Sequence, residues 1–360
     1  MNQQTLEFYK SKRVLITGHT GFKGSWMCQM LLEAGASVYG YALEPEKGGL
    51  FELAGLGSGV DSVYGDIRDL ENLQKAFERI KPEIVIHMAA QPLVRTSYEA
   101  PVYTYDVNVM GTVNVLECVR RTDSVRSFLN VTTDKVYRNR EWDWGYRENE
   151  ELNGFDPYSN SKSCSELVTS GYRNSFFDVR DIAITTVRAG NVIGGGDFAR
   201  DRIIPDCIRA AEEGKEIIVR NPYSIRPYQH VLEPVAAYLM IAERQYENRN
   251  YAGSYNIGPK EEDCLETGKL VDAFCAAWKH IMGKEAGWVN RHDGGPHEAG
   301  ILKLDCAKIK NTFGWKPVWN VYEAIAKIVE WQKEFCTGKG AGTAMIKQIR
   351  EYQERATQKG

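Results

Sequence analysis

Short β-branched runs alternate with longer amphipathic stretches through the first half of the chain. Candidate strands are RVLIT (13–17), SVYGYA (37–42), SVYGD (62–66), EIVIHMAA (83–90), SFLNVTT (127–133) and IAITTVRA (182–189). Helical periodicity falls near 22–34, 70–80, 98–121 and 157–176. Strands that are apolar along nearly their whole length are buried on both faces, which requires helices on both sides of the sheet. The pattern predicts a Rossmann-type α/β fold with a doubly wound parallel sheet.

After Arg188 the pattern changes. A glycine cluster (Gly194, Gly195, Gly196) opens a mixture of short strands, helices and Gly/Pro punctuation that runs to about Pro317, followed by a charged tail helix. We expect residues 1–190 to form one domain built on this sheet. Residues 191–360 should form a smaller α/β lobe, with parts returning to the sheet.

Composition narrows the function classes. At 360 residues the chain is long enough to bury most of its surface in a sizeable core. Lys+Arg 45 against Asp+Glu 48 gives a net charge of −3, so no basic field exists to draw nucleic acid. No run of about 18 apolar residues predicts a membrane span, and MNQQTLEFYKSKR lacks the apolar core of a signal peptide. Eight scattered cysteines with no C-x-x-C pair imply reduced thiols and no zinc site. A cytoplasmic protein without a metal is expected.

Strand RVLIT runs directly into GHTGFKG and then a helix. Glycines at Gly18, Gly21 and Gly24 serve a tight strand-to-helix turn, close approach of backbone N–H groups to a pyrophosphate, and close helix–strand packing. Thr20 and Phe22 lie inside the same loop. The G-x-x-G-x-x-G spacing, with Ala89, Ala90 and Gln91 after the fourth strand, resembles the extended short-chain dehydrogenase/reductase family. That resemblance implies a bound NAD, with Asp66 against the adenine and Ile67 beside it. The choice of NAD over NADP is less sharp, because Ala42 stands where many NAD-preferring relatives have an acid, with Glu44 two residues on and Lys47 the nearest cation.

Tyr158 and Lys162 in YSNSK lie four apart at the start of a predicted helix, hence on one face. With 19 tyrosines in the chain, chance supplies such a pattern, so its weight comes from its place after the fifth strand. Tyrosine needs a neighbouring positive charge before its phenolate can accept an alcohol proton. The resemblance implies that Lys162 supplies that charge and also holds the nicotinamide ribose, and that Thr133 binds the substrate hydroxyl.

Oxidation alone needs no more than these three residues. Asp134 and Lys135 follow Thr133, and the stretch is similar to the Thr-Asp-Glu of nucleotide-sugar 4,6-dehydratases, with lysine in place of the glutamate. In that branch oxidation at carbon 4 acidifies the hydrogen on carbon 5, water leaves across carbons 5 and 6, and hydride returns to carbon 6. The Asp is the acid for the departing hydroxyl. The Asp-Lys form resembles the cytidine-nucleotide branch and implies CDP-D-glucose as substrate; which group takes the carbon 5 proton stays open.

RAGNVIGGGDFARDRIIPD (188–206), RPYQHVLEP (226–234) and PHEAGILKLDCAKIKNTFGWKP (296–317) also resemble the nucleotide-sugar members. The resemblance places Asn191, Arg202, Arg226 and Asn256 on the substrate, the arginines balancing its phosphates. Trp142 and Trp144 lie in a loop that could cover the sugar. Relatives pair through the helices at 98–121 and 157–176, so a homodimer or homotetramer is expected. Two other readings stand beside the dehydratase: a nucleotide-sugar 4-epimerase, which has no leaving group for Asp134 to protonate, and a non-catalytic nucleotide-sensing module, which has no use for Tyr158 and Lys162.

Overall fold

The computed structural model describes residues 3–291, 294 and 299–359. Seven strands build one parallel sheet: β1 (Arg13–Thr17), β2 (Ser37–Ala42), β3 (Asp61–Tyr64), β4 (Ile84–His87), β5 (Ser127–Val131), β6 (Ala183–Ala189) and β7 (Ser254–Ile257). Their order is β7-β6-β5-β4-β1-β2-β3. The order reverses between β1 and β4, and a crevice forms beyond the carboxyl ends of strands at such a switch point.

Three of the expected strands end early: the third stops at Tyr64, and two others end where the chain turns toward that crevice. The run 83–90 pairs only through His87, after which Met88 and Ala89 donate to the Thr17 hydroxyl. The run 127–133 pairs through Val131, and a short helical turn, Asp134–Val136, follows at once. The third strand pairs from Asp61 rather than Ser62.

The helix expected over 98–121 is broken. Ala100 lies outside helical conformation because Pro101 follows it, and a wide turn over Asp106–Met110 separates Pro101–Tyr105 from Gly111–Arg121. The helix Pro157–Tyr172 has proline in its first turn and Asp156 as its cap, accepting from Ser159 N at 2.9 Å. It loosens into a wide turn at Arg173–Phe177.

Residues on both sides of position 190 share the main core. Val14, Trp26 and Leu129 of the sheet side pack in one cluster with Val235, Tyr238 and Leu239 of the helix Leu232–Glu247 and Ile349 of the tail helix Ala341–Lys359. A second cluster, with Phe274, Trp278, Ile325 and Ile328, is made only of residues after 190. Of the segment 296–317, Pro296, His297 and Glu298 lie outside the described residues, and Leu302 and Cys306 are buried. No described helix is long and apolar enough to cross a membrane.

Candidate active site

Gly18 has φ +74°, a conformation that favours glycine, and a Cβ there would lie 2.7 Å from Ala89 N. Gly24 is equally constrained: a Cβ would meet His19 Cα at 2.7 Å, so the helix Phe22–Glu33 can approach β1 only with glycine here. Gly21 differs, since its nearest neighbour would be Gly18 O at 3.5 Å. It faces open space at the helix start. The N-cap residue Gly21 has no side chain to cap that helix, which leaves first-turn N–H groups for an anion. The cradle therefore fits a pyrophosphate, as a dinucleotide would require.

Around the cradle, the Thr20 hydroxyl donates to Leu43 O at 3.2 Å. Thr17 Oγ1 lies 2.7 Å from His87 Nδ1, joining β1 to β4 at the switch point, with Ala90 and Gln91 just beyond. Asp66 accepts from Arg68 Nη2 at 2.7 Å, which holds its carboxyl below the ordinary range, and Ile67 is buried against Gly111. His19, unremarked in the sequence, is buried between the loop and Ser62, Nε2 to Oγ 2.9 Å. Burial lowers its pKa to about 4, so it is neutral.

At the end of β5, Thr133 donates to Asp134 Oδ1 at 2.9 Å and also hydrogen-bonds Tyr158. Asp134 is 1% exposed and its Oδ2 has no partner among the described residues. Burial raises its carboxyl pKa above the ordinary range, opposed by the nearby charges of Lys135 and Arg226. Burial also pushes the Tyr158 phenol up to about 12, against the Thr133 hydrogen bond and the charge of Arg202. Lys162 is buried one helical turn from Tyr158. Its Nζ donates to Val131 O at 3.3 Å, and desolvation, opposed by Glu166, brings it down to about 8. Thr133, Asp134, Lys135, Tyr158 and Lys162 thus gather at one end of β5.

A polar lattice holds this cluster against the cradle. Asn108 Nδ2 donates to Ser161 Oγ at 2.9 Å and to Gln91 O at 3.1 Å, which fastens the tyrosine helix to the Ala-Ala-Gln segment. Ser165 Oγ, on the same helix, accepts from Asn130 Nδ2 of β5 at 2.9 Å.

The substrate-side candidates divide. Arg202 is half-buried, paired with Asp197 at 3.0 Å, and close enough to act on Tyr158. Arg226 is buried and donates to the carbonyls of Ile225, Ala299 and Gly300, while its charge reaches Asp134. Asn191 is half-buried beside β6, and its carbonyl accepts from Gln229 N. Asn256 is elsewhere in function: fully buried on β7, it accepts from Tyr137 OH at 2.6 Å and donates to Tyr146 O at 2.7 Å, so both ends of its amide serve the fold. Trp142 and Trp144 pack with tilted rings, centroids 4.8 Å apart, and Trp142 continues through Tyr146 to Tyr137, an aromatic ladder beside Leu302.

Two residues near the reacting cluster went unnoticed in the sequence. Lys23 is hidden inside the glycine motif, and Tyr238 comes from a helix far along the chain. Glu166 had a signal, since Tyr158, Lys162 and Glu166 recur every fourth residue.

Residues 15–328 match the family model described as GDP-mannose 4,6 dehydratase. The chain is 48% identical over 357 residues to a CDP-glucose 4,6-dehydratase of Salmonella typhimurium, covering 97% of this chain and 98% of that one. It is 26% identical over 341 residues to a dTDP-glucose 4,6-dehydratase of Xanthomonas campestris, covering 88% and 92%. Among solved structures, dTDP-glucose 4,6-dehydratase of Bacillus anthracis in complex with NAD matches the fold with a TM-score of 0.74 at 20% identity, over 89% of this chain and 96% of that one. UDP-glucose 4-epimerase of Thermotoga maritima with UDP-glucose matches at 0.74 and 23% identity, over 90% and 99%. The matched span runs from inside β1 to Ile328 of the helix Val321–Cys336, and on it this chain belongs to the GDP-mannose 4,6-dehydratase family, within the extended short-chain dehydrogenases/reductases.

Proposed function

We propose that the chain is a CDP-D-glucose 4,6-dehydratase that uses bound NAD and releases the 4-keto-6-deoxy sugar nucleotide plus water. One observation carries the reading: a fully buried carboxyl, Asp134, whose pKa burial raises, hydrogen-bonded by Thr133 beside Tyr158. Dehydration needs such an acid and simple oxidation does not. The 48% identity to a CDP-glucose enzyme supports the cytidine nucleotide.

Gly18, Gly21 and Gly24, with the uncapped first turn behind Phe22, would hold the NAD pyrophosphate. Thr20, Asp66 and Ile67 would lie toward its adenosine end, and Ala89, Ala90 and Lys162 toward its nicotinamide ribose. When bound, NAD supplies reversible hydride storage between carbon 4 and carbon 6. Thr133 and Tyr158 hold the carbon 4 hydroxyl, and the Tyr158 oxygen would take its proton as a phenolate, which the positive nicotinamide ring and Lys162 would have to favour against the burial that raises its pKa. Asp134, whose carboxyl burial favours in its protonated form, gives a proton to the carbon 6 hydroxyl as it leaves. Lys135, half-buried in the same turn, is the group we assign to the carbon 5 proton. Arg202 and Arg226, with Asn191, bind the sugar diphosphate in the lobe after residue 190.

Exposed Tyr98, Val102, Tyr103, Met110 and Leu167 on the adjoining helices support a homodimer or homotetramer through that face. Eight unpaired cysteines support a reducing, cytoplasmic setting. Incubation with CDP-D-glucose and mass analysis of the product tests the reading. Loss of one water supports it. An unchanged mass with inverted carbon 4 makes the chain a 4-epimerase, the reading that the shared epimerase fold suggests.

A further inference from the structure

His87 closes β4, is buried, and has both ring nitrogens engaged. Nδ1 lies 2.7 Å from Thr17 Oγ1, and Nε2 lies 3.1 Å from Oγ1 of Thr112, at the start of the helix Gly111–Arg121. Counting donors and acceptors assigns every proton in this chain, because a hydroxyl gives one proton and accepts twice. Thr17 Oγ1 already accepts from Met88 N at 3.1 Å and Ala89 N at 3.2 Å, so its own proton goes to His87 Nδ1. His87 therefore carries its proton on Nε2 and donates it to Thr112. Thr112 gives its proton to Asn108 O at 2.7 Å and accepts from Ser165 Oγ at 3.1 Å, which accepts in turn from Asn130 Nδ2 at 2.9 Å. A second proton on His87 would point at a Thr17 oxygen with no lone pair left, so the geometry keeps the ring neutral. Burial and the charge of Lys162 act in the same direction, bringing its pKa down to about 3.

The ends of this chain of hydrogen bonds are the two halves of the site. A Cβ on Gly18 would lie 2.7 Å from Ala89 N, so the turn at Met88 and Ala89 rests directly on the glycine cradle. Ser165 stands on the helix Pro157–Tyr172, which carries Tyr158 and Lys162.

We propose that His87 is a positioning residue, a neutral two-sided link that fixes the nicotinamide side of the cradle at its working distance from the tyrosine helix. The inference rests on the NAD reading above, which puts Ala89 and Ala90 toward the nicotinamide ribose. Tyr158 holds the sugar on one side of the link, and the turn at Ala89 lies against the cofactor on the other. The gap that hydride must cross is thus set through His87. A misplacement of about 1 Å in such a gap can cost about 10²-fold in rate.

The test is steady-state turnover of CDP-D-glucose by the full chain with NAD, with and without deuterium at carbon 4, beside calorimetric titration with NAD. It is run on the unaltered protein and on His87→Phe, Thr112→Val and Thr112→Ser. His87→Phe keeps a ring in place without either hydrogen bond. Thr112→Val breaks the link one bond further on and carries the test should the first variant fold poorly. In both, kcat and kcat/KM should fall together by about 10²-fold with NAD affinity kept, and deuterium should slow turnover more than it does in the unaltered protein, because hydride transfer has become limiting. Thr112→Ser, which retains the hydroxyl, should keep the original rate. A folded Thr112→Val protein that turns over at the original rate, or that slows with no larger isotope effect, overturns the inference while leaving the cofactor reading intact. If the unaltered chain does not bind NAD, the cofactor reading fails and this inference falls with it.

Discussion

Arg188 of β6 and Glu166 of the tyrosine helix form a two-point ion pair, Nη2 to Oε2 2.8 Å and Nε to Oε1 2.9 Å, with side chains 3% and 2% exposed. Glu166 also accepts from Thr132 and Thr186, and Arg188 reaches on to Tyr137 OH at 2.8 Å, which bonds Asn256 on β7. The helix that carries Tyr158 and Lys162 is thereby locked to three adjacent strands. A desolvated pair with every remaining donor and acceptor satisfied is costly to break from one side.

Glu166→Gln leaves Arg188 buried without a counter-charge and should cost about 3–5 kcal/mol in chemical denaturation. It should also move the pH profile. Glu166 is what holds the Lys162 pKa up against burial, at about 8, so its removal lowers that value further. Lys162 loses its proton as pH rises through its pKa, and the alkaline limb of the rate should therefore begin at lower pH in the variant. A limb that stays in place separates Glu166 from Lys162.

Asp134→Asn should preserve folding and NAD binding, because the carboxyl contributes one hydrogen bond to Thr133 and nothing to the cradle. Dehydration should fall roughly 10²–10⁴-fold, the range for removing a positioned proton donor. Oxidation at carbon 4 remains possible, so the near-ultraviolet absorbance of reduced nicotinamide should build up after substrate is added. Turnover at the original rate removes Asp134 from the mechanism.

Gly21→Ala and Gly24→Ala should have different consequences. A Cβ at Gly24 collides with the backbone of Gly18 and His19 and should destabilise the fold itself, visible as a lowered melting temperature. A Cβ at Gly21 has room within the protein and projects into the cradle, so it should weaken NAD binding with little change in melting. Equal loss of melting temperature in both variants contradicts the assignment of Gly21 to the cofactor.

The sheet was legible because burial on both faces writes strands as continuous apolar runs, and β1, β2, β5 and β6 begin within a residue of where those runs begin. β7 was harder to see. SYNI is four residues long, lies in the half of the chain read as a separate lobe, and becomes a strand only by pairing with β6. The cluster of Thr133, Asp134, Tyr158 and Lys162 could be read because each stands at a strand end or on one helix face, positions that sequence spacing determines. Asn256 shows the limit of that reading. A motif such as SYNIGP does not reveal whether an amide faces a ligand or the fold, and here Tyr137 and Tyr146, more than a hundred residues earlier, take both ends of it. Lys23 was masked for the opposite reason, because the glycines around it account for the motif.

The central claim is that hydrogen taken from carbon 4 is stored and given back to carbon 6 within one active site. CDP-D-glucose carrying deuterium at carbon 4, turned over by the full chain with NAD, should yield a product whose new methyl group holds that deuterium. Deuterium lost to solvent, or still at carbon 4 in a product of unchanged mass, contradicts the account.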